Sequence, residues 1–177
     1  MNLRLCKYFV ICVGLSVMAV SCSTTRNAKR EAHKEPKVDA QVYISGHELT
    51  DRQERLIREA MEWQGTPYKY GGEEKGGGTD CSGFVMSVYR DAVGMKLPRN
   101  SAAQAEFCKS VKDRHAHACD LVFFATGSDS SKVSHVGMIL DTENFIHASS
   151  SKGVIITRFD NPWWLRRIVG FGRVPGM

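Results

Sequence analysis

Thr79-Asp80-Cys81-Ser82-Gly83-Phe84-Val85 joins a glycine-rich loop to an amphipathic run of helical spacing. Phe84, Val85, Val88 and Tyr89 recur at the i, i+1, i+4 and i+5 places that line one face of a helix. Asp80 has the short oxygen-bearing side chain that favours helix starts, which puts Cys81 in the first turn. Unpaired N–H groups and the positive end of the helix dipole favour a thiolate at that place. A thiol titrating well below the usual ~8.5 is therefore expected. A cysteine here serves as a nucleophile or as a small packing residue, and the segment alone does not choose.

Upstream, Thr50-Asp51-Arg52-Gln53 is a capping box ahead of Leu56, Ile57, Ala60, Met61 and Trp63, so a first amphipathic helix is predicted. Gly65-Thr66-Pro67 stops it. Gly71-Gly72 and Gly76-Gly77-Gly78 form a loop without the Gly-Lys-Ser/Thr ending of a phosphate cradle, which excludes a nucleotide site of that kind. Downstream, Leu97-Pro98-Arg99 closes the cysteine-bearing helix, and Ser101 to Cys108 predicts a short third one. Then the pattern changes. Leu121–Phe124, Val136–Leu140, Phe145-Ile146, Val154–Ile156 and Ile168–Val174 are short strand candidates, with Asp141-Thr142-Glu143-Asn144 as a hairpin loop. Helices first and strands afterwards indicate an α+β fold with an antiparallel sheet.

The N-terminus has a different character. Arg4 and Lys7 precede the apolar run Phe9 to Val20, and small residues lead into Cys22. That is the pattern of a secretory signal over residues 1–21, too short to span a bilayer comfortably. Ala19-Val20-Ser21-Cys22 resembles a lipoprotein cleavage site, with Cys22 as the acylated first residue; Ala19 departs from the usual leucine. Residues 22–44 are polar and charged and form a flexible tether to one domain over residues 45–177. Removal of the signal lowers the formal charge from +5 to +3. With no Lys/Arg block interleaved with aromatics, nucleic acid is not an expected partner. A lipid-anchored envelope protein is expected, on the periplasmic face of the outer membrane and monomeric.

Cys81, Cys108 and Cys119 remain in the domain. In an oxidising envelope Cys108 and Cys119 either pair or stay free, and sequence does not decide. Cys108, His115, His117 and Cys119 do not match zinc spacing, so neither metal nor cofactor is expected. A nucleophilic cysteine needs a base, and the base needs an orienting group. His135 opens one strand candidate and His147 lies in the next, so one hairpin can set both on the same face toward Cys81.

Six motifs in order resemble the NlpC family of bacterial cell-wall cysteine peptidases. They are Gly65-Thr66-Pro67-Tyr68-Lys69-Tyr70-Gly71-Gly72, Asp80–Val85, Leu97–Gln104, Asp120–Phe124, His135–Met138 and Phe145–Ala148. The resemblance implies a papain-like α+β domain, with N-terminal helices packed on a five- to six-stranded antiparallel sheet. It implies hydrolysis of peptidoglycan stem peptides, usually at the bond from D-glutamate's γ-carboxyl to the diamino acid. Cys81 would form the acyl-enzyme, His135 shuttle the proton and His147 orient His135. Tyr68 would meet the oxyanion or substrate, and Asp80 and Ser82 the free amine of the stem's first alanine. Arg99 and Ser101 would support the site. Cys119 stands where the family often has glycine. Other readings of the scaffold are a non-hydrolytic peptidoglycan-binding lipoprotein, or an amidase or acyltransferase.

Overall fold

Thr50 starts the first helix as the capping box requires: its hydroxyl accepts from the Gln53 N–H at 3.3 Å, and Gln53 Oε1 accepts from the Thr50 N–H at 3.1 Å. The computed structural model describes residues 49–177. The expected signal over 1–21, Cys22 and the tether over 22–44 lie outside the described residues. Helix α1 (Asp51–Glu62) buries Leu56, Ile57 and Ala60, and Trp63 follows as its C-cap. That stripe packs on α2 (Cys81–Val93). Between them lies a ribbon, β1 (Glu73–Glu74) and β2 (Gly78–Thr79), inside the stretch read as plain loop. Helix α3 (Ser101–Phe107) follows, capped by Asn100, and then the chain turns to strands.

The strands are β3 (Lys109–Val111), β4 (Leu121–Phe124), β5 (His135–Ile139), β6 (Asn144–Ser149), β7 (Gly153–Arg158) and β8 (Ile168–Arg173). They form one antiparallel sheet in the order β3-β8-β4-β5-β6-β7. The α+β expectation with five to six strands therefore holds at six. The extra edge strand β3 carries no apolar alternation, and only its pairing with β8 defines it.

Both faces of the sheet are covered, which explains why Leu121-Val122-Phe123-Phe124 is apolar throughout rather than alternating. Leu121, Phe123, Val136, Met138, Ile146 and Ala148 join α1 and α2 in the main core. Val122, Phe124, Ile139 and Phe145 form a second cluster on the opposite face, closed by Phe159, Trp164 and Phe171. Trp164 belongs to α4 (Pro162–Leu165), a short helix the sequence reading did not include. Its signal was present: Asn161 caps it, accepting from the Trp163 N–H at 2.9 Å, and Pro162 occupies the first helical place.

Two glycines set close approaches. A Cβ on Gly83 would collide with the Gly72 carbonyl oxygen, so only glycine lets the first turn of α2 lie against the preceding loop. A Cβ on Gly137 would stand 2.9 Å from the Phe145 ring and 3.3 Å from the His147 Cβ, so this glycine lets β5 and β6 meet beneath the histidines.

Candidate active site

Asp80 is the N-cap of α2, accepting from the Gly83 N–H at 2.7 Å. Its carboxylate takes that N–H, and the backbone N–H groups of Cys81, Ser82 and Val136 on β5 lie near the Cys81 sulfur, where they work against a rise in its pKa. The nearness of Val136 has a topological cause. The β5–β6 ladder is formed only at Met138–Ile146 and Ile139–Phe145, so the strands part before Val136, and α2 presents its first residue at the opening. Cys81 is thereby held beside the strand residue that follows His135.

The expected lowering of the thiol pKa is overturned. Burial pushes Cys81 above its ordinary value, and the Asp80 charge adds to that, against the three N–H groups. Cys81 is 8% exposed, and loss of hydration outweighs the helix end. The resting sulfur is a neutral thiol.

The two histidines are brought together as one unit. His135 Nε2 and His147 Nδ1 are 2.9 Å apart, and both residues are buried. His147 sits diagonally across from His135, because Met138 pairs with Ile146 and the alternation then places 135 and 147 on one face. Trp164 closes over them, with ring centroids 4.5 Å from His147 and 5.1 Å from His135. Burial lowers His135 to about 4, and burial with the charge of His135 lowers His147 further. Both rings are neutral at pH 7, the state in which an imidazole acts as a base. Sequence reasoning missed Thr157 on β7, whose Oγ1 lies 2.9 Å from His147 Nε2. It also missed Trp164, because neither has a motif of its own.

Tyr68 reaches the site by a strap. Lys69 N–H donates to the Thr79 carbonyl at 2.9 Å, and Thr79 N–H donates to the Pro67 carbonyl at 3.0 Å. Partial burial and then the proximity of Cys81 and Asp80 raise the Tyr68 pKa, so the phenol stays protonated and is a hydrogen-bond donor near the sulfur.

Asp80 and Ser82, the expected contacts of the stem amine, are both joined to Arg99. Arg99 binds both Asp80 oxygens, at 2.9 and 2.8 Å, and also Ser82 Oγ at 3.1 Å. Gly71 and Gly83 N–H groups and the Ser82 hydroxyl donate to the same carboxylate. Burial works to raise the Asp80 pKa, but Arg99 and the two N–H groups outweigh it and hold it below the usual range. The carboxylate's acceptor positions are taken, and the pair is a structural clamp. Arg99 supports the site, as expected.

Cys108 and Cys119 are buried free thiols, and burial pushes Cys108 up to about 12 and Cys119 beyond that. Cys119 adopts φ 70°, the left-handed backbone suited to glycine, while its carbonyl accepts from the Tyr89 hydroxyl. Among the described residues no three of His, Cys, Asp and Glu are placed to hold a metal. In the region of His115 and His117, Arg173 binds Asp120 at 2.8 and 2.7 Å.

A helix-opening cysteine set against an antiparallel sheet that supplies paired histidines defines the class of α+β thiol peptidases. The chain belongs to the NlpC/P60 family, whose model matches residues 65–173. It is 34% identical over 165 residues to the murein DD-endopeptidase MepS/murein LD-carboxypeptidase of Escherichia coli K12, covering 88% of this chain and 85% of the relative. It is 41% identical over 133 residues to the probable endopeptidase NlpC of the same strain, covering 75% and 82%. A crystal structure of a lipoprotein-like NLP/P60 protein from Staphylococcus aureus superposes with TM-score 0.64 and 31% identity, over 72% of this chain and 43% of that one.

Proposed function

We propose that this protein hydrolyses peptide bonds in peptidoglycan stems through an acyl-enzyme on Cys81. Membership of the NlpC/P60 family, with murein endopeptidases as relatives, makes it a cell-wall peptidase. The observation that carries the mechanism is Cys81 at the start of α2, packed in one core cluster with Val136, the residue after His135, while His135 and His147 are buried and joined at 2.9 Å.

The neutral thiol requires its proton to be removed as it attacks. His135 holds His147 through Nε2, which leaves Nδ1 to take that proton. Sulfur bonds to the scissile carbonyl carbon, and the carbonyl electrons move to oxygen. The Cys81 N–H at the helix start and the Tyr68 hydroxyl are the donors for that oxyanion; one such donor is worth ~3 kcal/mol. Collapse expels the amine, which takes the proton from His135. Water, deprotonated by His135, then releases the acid and restores the thiol. His147 orients His135 and supports its charged form.

The γ-D-glutamyl–diamino acid bond is the first candidate. A DD bond is the second reading, favoured because MepS aligns over 88% of the chain and because Arg99 occupies the carboxylate that a free stem amine would need. The Cys22 anchor and its place at the periplasmic face of the outer membrane are part of the proposal, and detergent partitioning of the expressed chain tests the anchor.

Digestion of purified muropeptides, read by mass spectrometry, tests the chemistry and identifies the bond. Cys81→Ala is expected to abolish product release with an unchanged circular dichroism spectrum. Undiminished cleavage by that variant removes the thiol mechanism. Wall binding without any product from the wild type favours the non-hydrolytic reading, and a product other than a hydrolysed stem favours amidase or acyltransferase chemistry.

A further inference from the structure

Positive charge gathers in one groove away from the cysteine. Residues 49–177 are nearly balanced, with 17 Lys and Arg against 15 Asp and Glu. Yet among the described residues a groove of about 580 Å³ is lined by Lys109, Lys112, Arg114 and Arg173 and by no Asp or Glu. Arg173 is committed to Asp120, at 2.8 and 2.7 Å. Lys109, Lys112 and Arg114 are exposed, and among the described residues they form no ion pair. Asp113 stands outside the lining and accepts from the Arg114 N–H at 2.7 Å. Even with the main-chain carboxylate of Met177, another lining residue, counted in, cations are in excess.

The walls of this groove are fixed. One is β3, which pairs with β8 on its inner side and ends the sheet, so its outer edge meets no strand. A single 3-10 turn, Asp113–His115, follows, and Arg173 holds it by donating to the His115 carbonyl at 3.0 Å. The other wall is the turn over 174–177. Met177 N–H closes it on the Val174 carbonyl at 3.1 Å, and Arg52 of α1 donates to the Gly176 carbonyl at 3.0 Å. Val111, Val174, Pro175 and Met177 add apolar surface to the lining. β3 stands three places from β5 in the sheet, about 14 Å at ~4.8 Å per strand, so the groove is separate from the cysteine and histidines.

The lining selects the occupant. A flat bilayer does not enter a concave groove, whereas a short peptide does. No Phe, Tyr or Trp lines it, so nucleic acid bases would find no ring to stack on. The stretch from Ser23 to Ala40 of this chain carries five Lys and Arg against three acids, so it is no electrostatic match. A peptide with several carboxylates and small apolar side chains matches both parts of the lining. A peptidoglycan stem is such a peptide: joined through the γ-carboxyl of D-glutamate, it keeps the α-carboxylate free and ends in another.

We propose that the groove beside β3 is a second wall-binding site, without catalytic groups, that takes the carboxylates of a stem peptide on Lys109, Lys112 and Arg114. It holds the protein on insoluble peptidoglycan while the cysteine site works on another stem. The assignment rests on the cell-wall reading.

The test uses the full chain in detergent, with Cys81→Ala so that the wall is not consumed, and measures co-sedimentation with purified insoluble peptidoglycan. Replacing Lys109, Lys112 and Arg114 together by Ala is expected to weaken binding about ten-fold, since each exposed pair contributes modestly. Lys112→Glu alone, a change at one exposed side chain, should weaken it about three-fold. Binding by the parent should fall with added salt, and that of the triple variant should respond less. Replacing Arg55, Lys96 and Arg166, three exposed cations outside the groove, should change binding by less than about two-fold. Wall with methyl-esterified carboxylates should bind parent and groove variant alike. With Cys81 restored, the groove variant should cleave soluble muropeptides at an unchanged kcat/KM, which also shows that it folds. Equal wall binding by parent and groove variants overturns the proposal, and so does an equal loss in the Arg55, Lys96 and Arg166 variant. Binding to phosphatidylglycerol micelles that only the groove variant loses, with wall binding unchanged, overturns it in favour of a lipid surface. Groove-dependent wall binding without any muropeptide cleavage by the wild type leaves the groove standing and instead defeats the peptidase reading.

Discussion

Replacing Arg99 by Met tests how the loop before the nucleophile is held. The guanidinium makes two hydrogen bonds to the Asp80 carboxylate, one to Ser82 Oγ and one to the Gly72 carbonyl. Removing one partner of a fully buried pair costs roughly 3–5 kcal/mol. Asp80 has a side chain only 8% exposed, but Arg99 is 36% exposed and solvent screens it, which reduces the figure. Asp80 also keeps the Gly71 and Gly83 N–H groups. The expected loss is therefore about 2–3 kcal/mol. Asp80→Asn retains a good N-cap without a charge to strand, so it should cost little once Arg99 is gone. Urea unfolding of the wild type, both single variants and the double variant at pH 7 gives the coupling energy, expected at about 1.5 kcal/mol or more. The sign with pH follows from the lowered Asp80 pKa. The pair's contribution is present above the unfolded carboxylate value and fades as pH falls through the folded one, so wild type and Arg99→Met should converge in acid. Additivity within about 0.5 kcal/mol at pH 7 would refute the clamp.

The buried histidines make a second pH-dependent contribution. The unfolded chain takes up protons near pH 6.5 while native His135 stays neutral down to about 4, so stability should fall as pH drops through that window, by about 3 kcal/mol for this ring alone. Urea midpoints unchanged between pH 7 and pH 4.5 would show that the rings are not held neutral. At Cys119 the left-handed backbone predicts that Cys119→Gly is more stable than Cys119→Ala by about 0.5–1 kcal/mol, although it buries less, as thermal unfolding of the two will show. The reverse order would mean that the backbone at φ 70° carries no strain.

Much of the fold was legible because its signals are local. The Thr50 capping box, the Asp80 cap and the spacing of Phe84, Val85, Val88 and Tyr89 each lie within one or two helical turns. The strands β5 and β6 appeared as apolar runs bounded by turn residues. The edge strand β3 and the cap α4 were not identified. Lys109-Ser110-Val111 becomes a strand only by lying beside β8, and Pro162–Leu165 is a helix of four residues of which Trp164 alone packs on the second core.

The sequence by itself determined that a cysteine opens a helix and that two histidines occupy successive strands, because caps and periodicity are set by near neighbours along the chain. Only the tertiary structure decided the charge state and connections of those groups. Hydration lost by the Cys81 sulfur exceeds what the helix end returns, Arg99 takes the carboxylate of Asp80 from 19 positions away, and Thr157 reaches His147 across β7. Desolvation and partners brought from distant segments depend on the packed chain, and no local pattern encodes them.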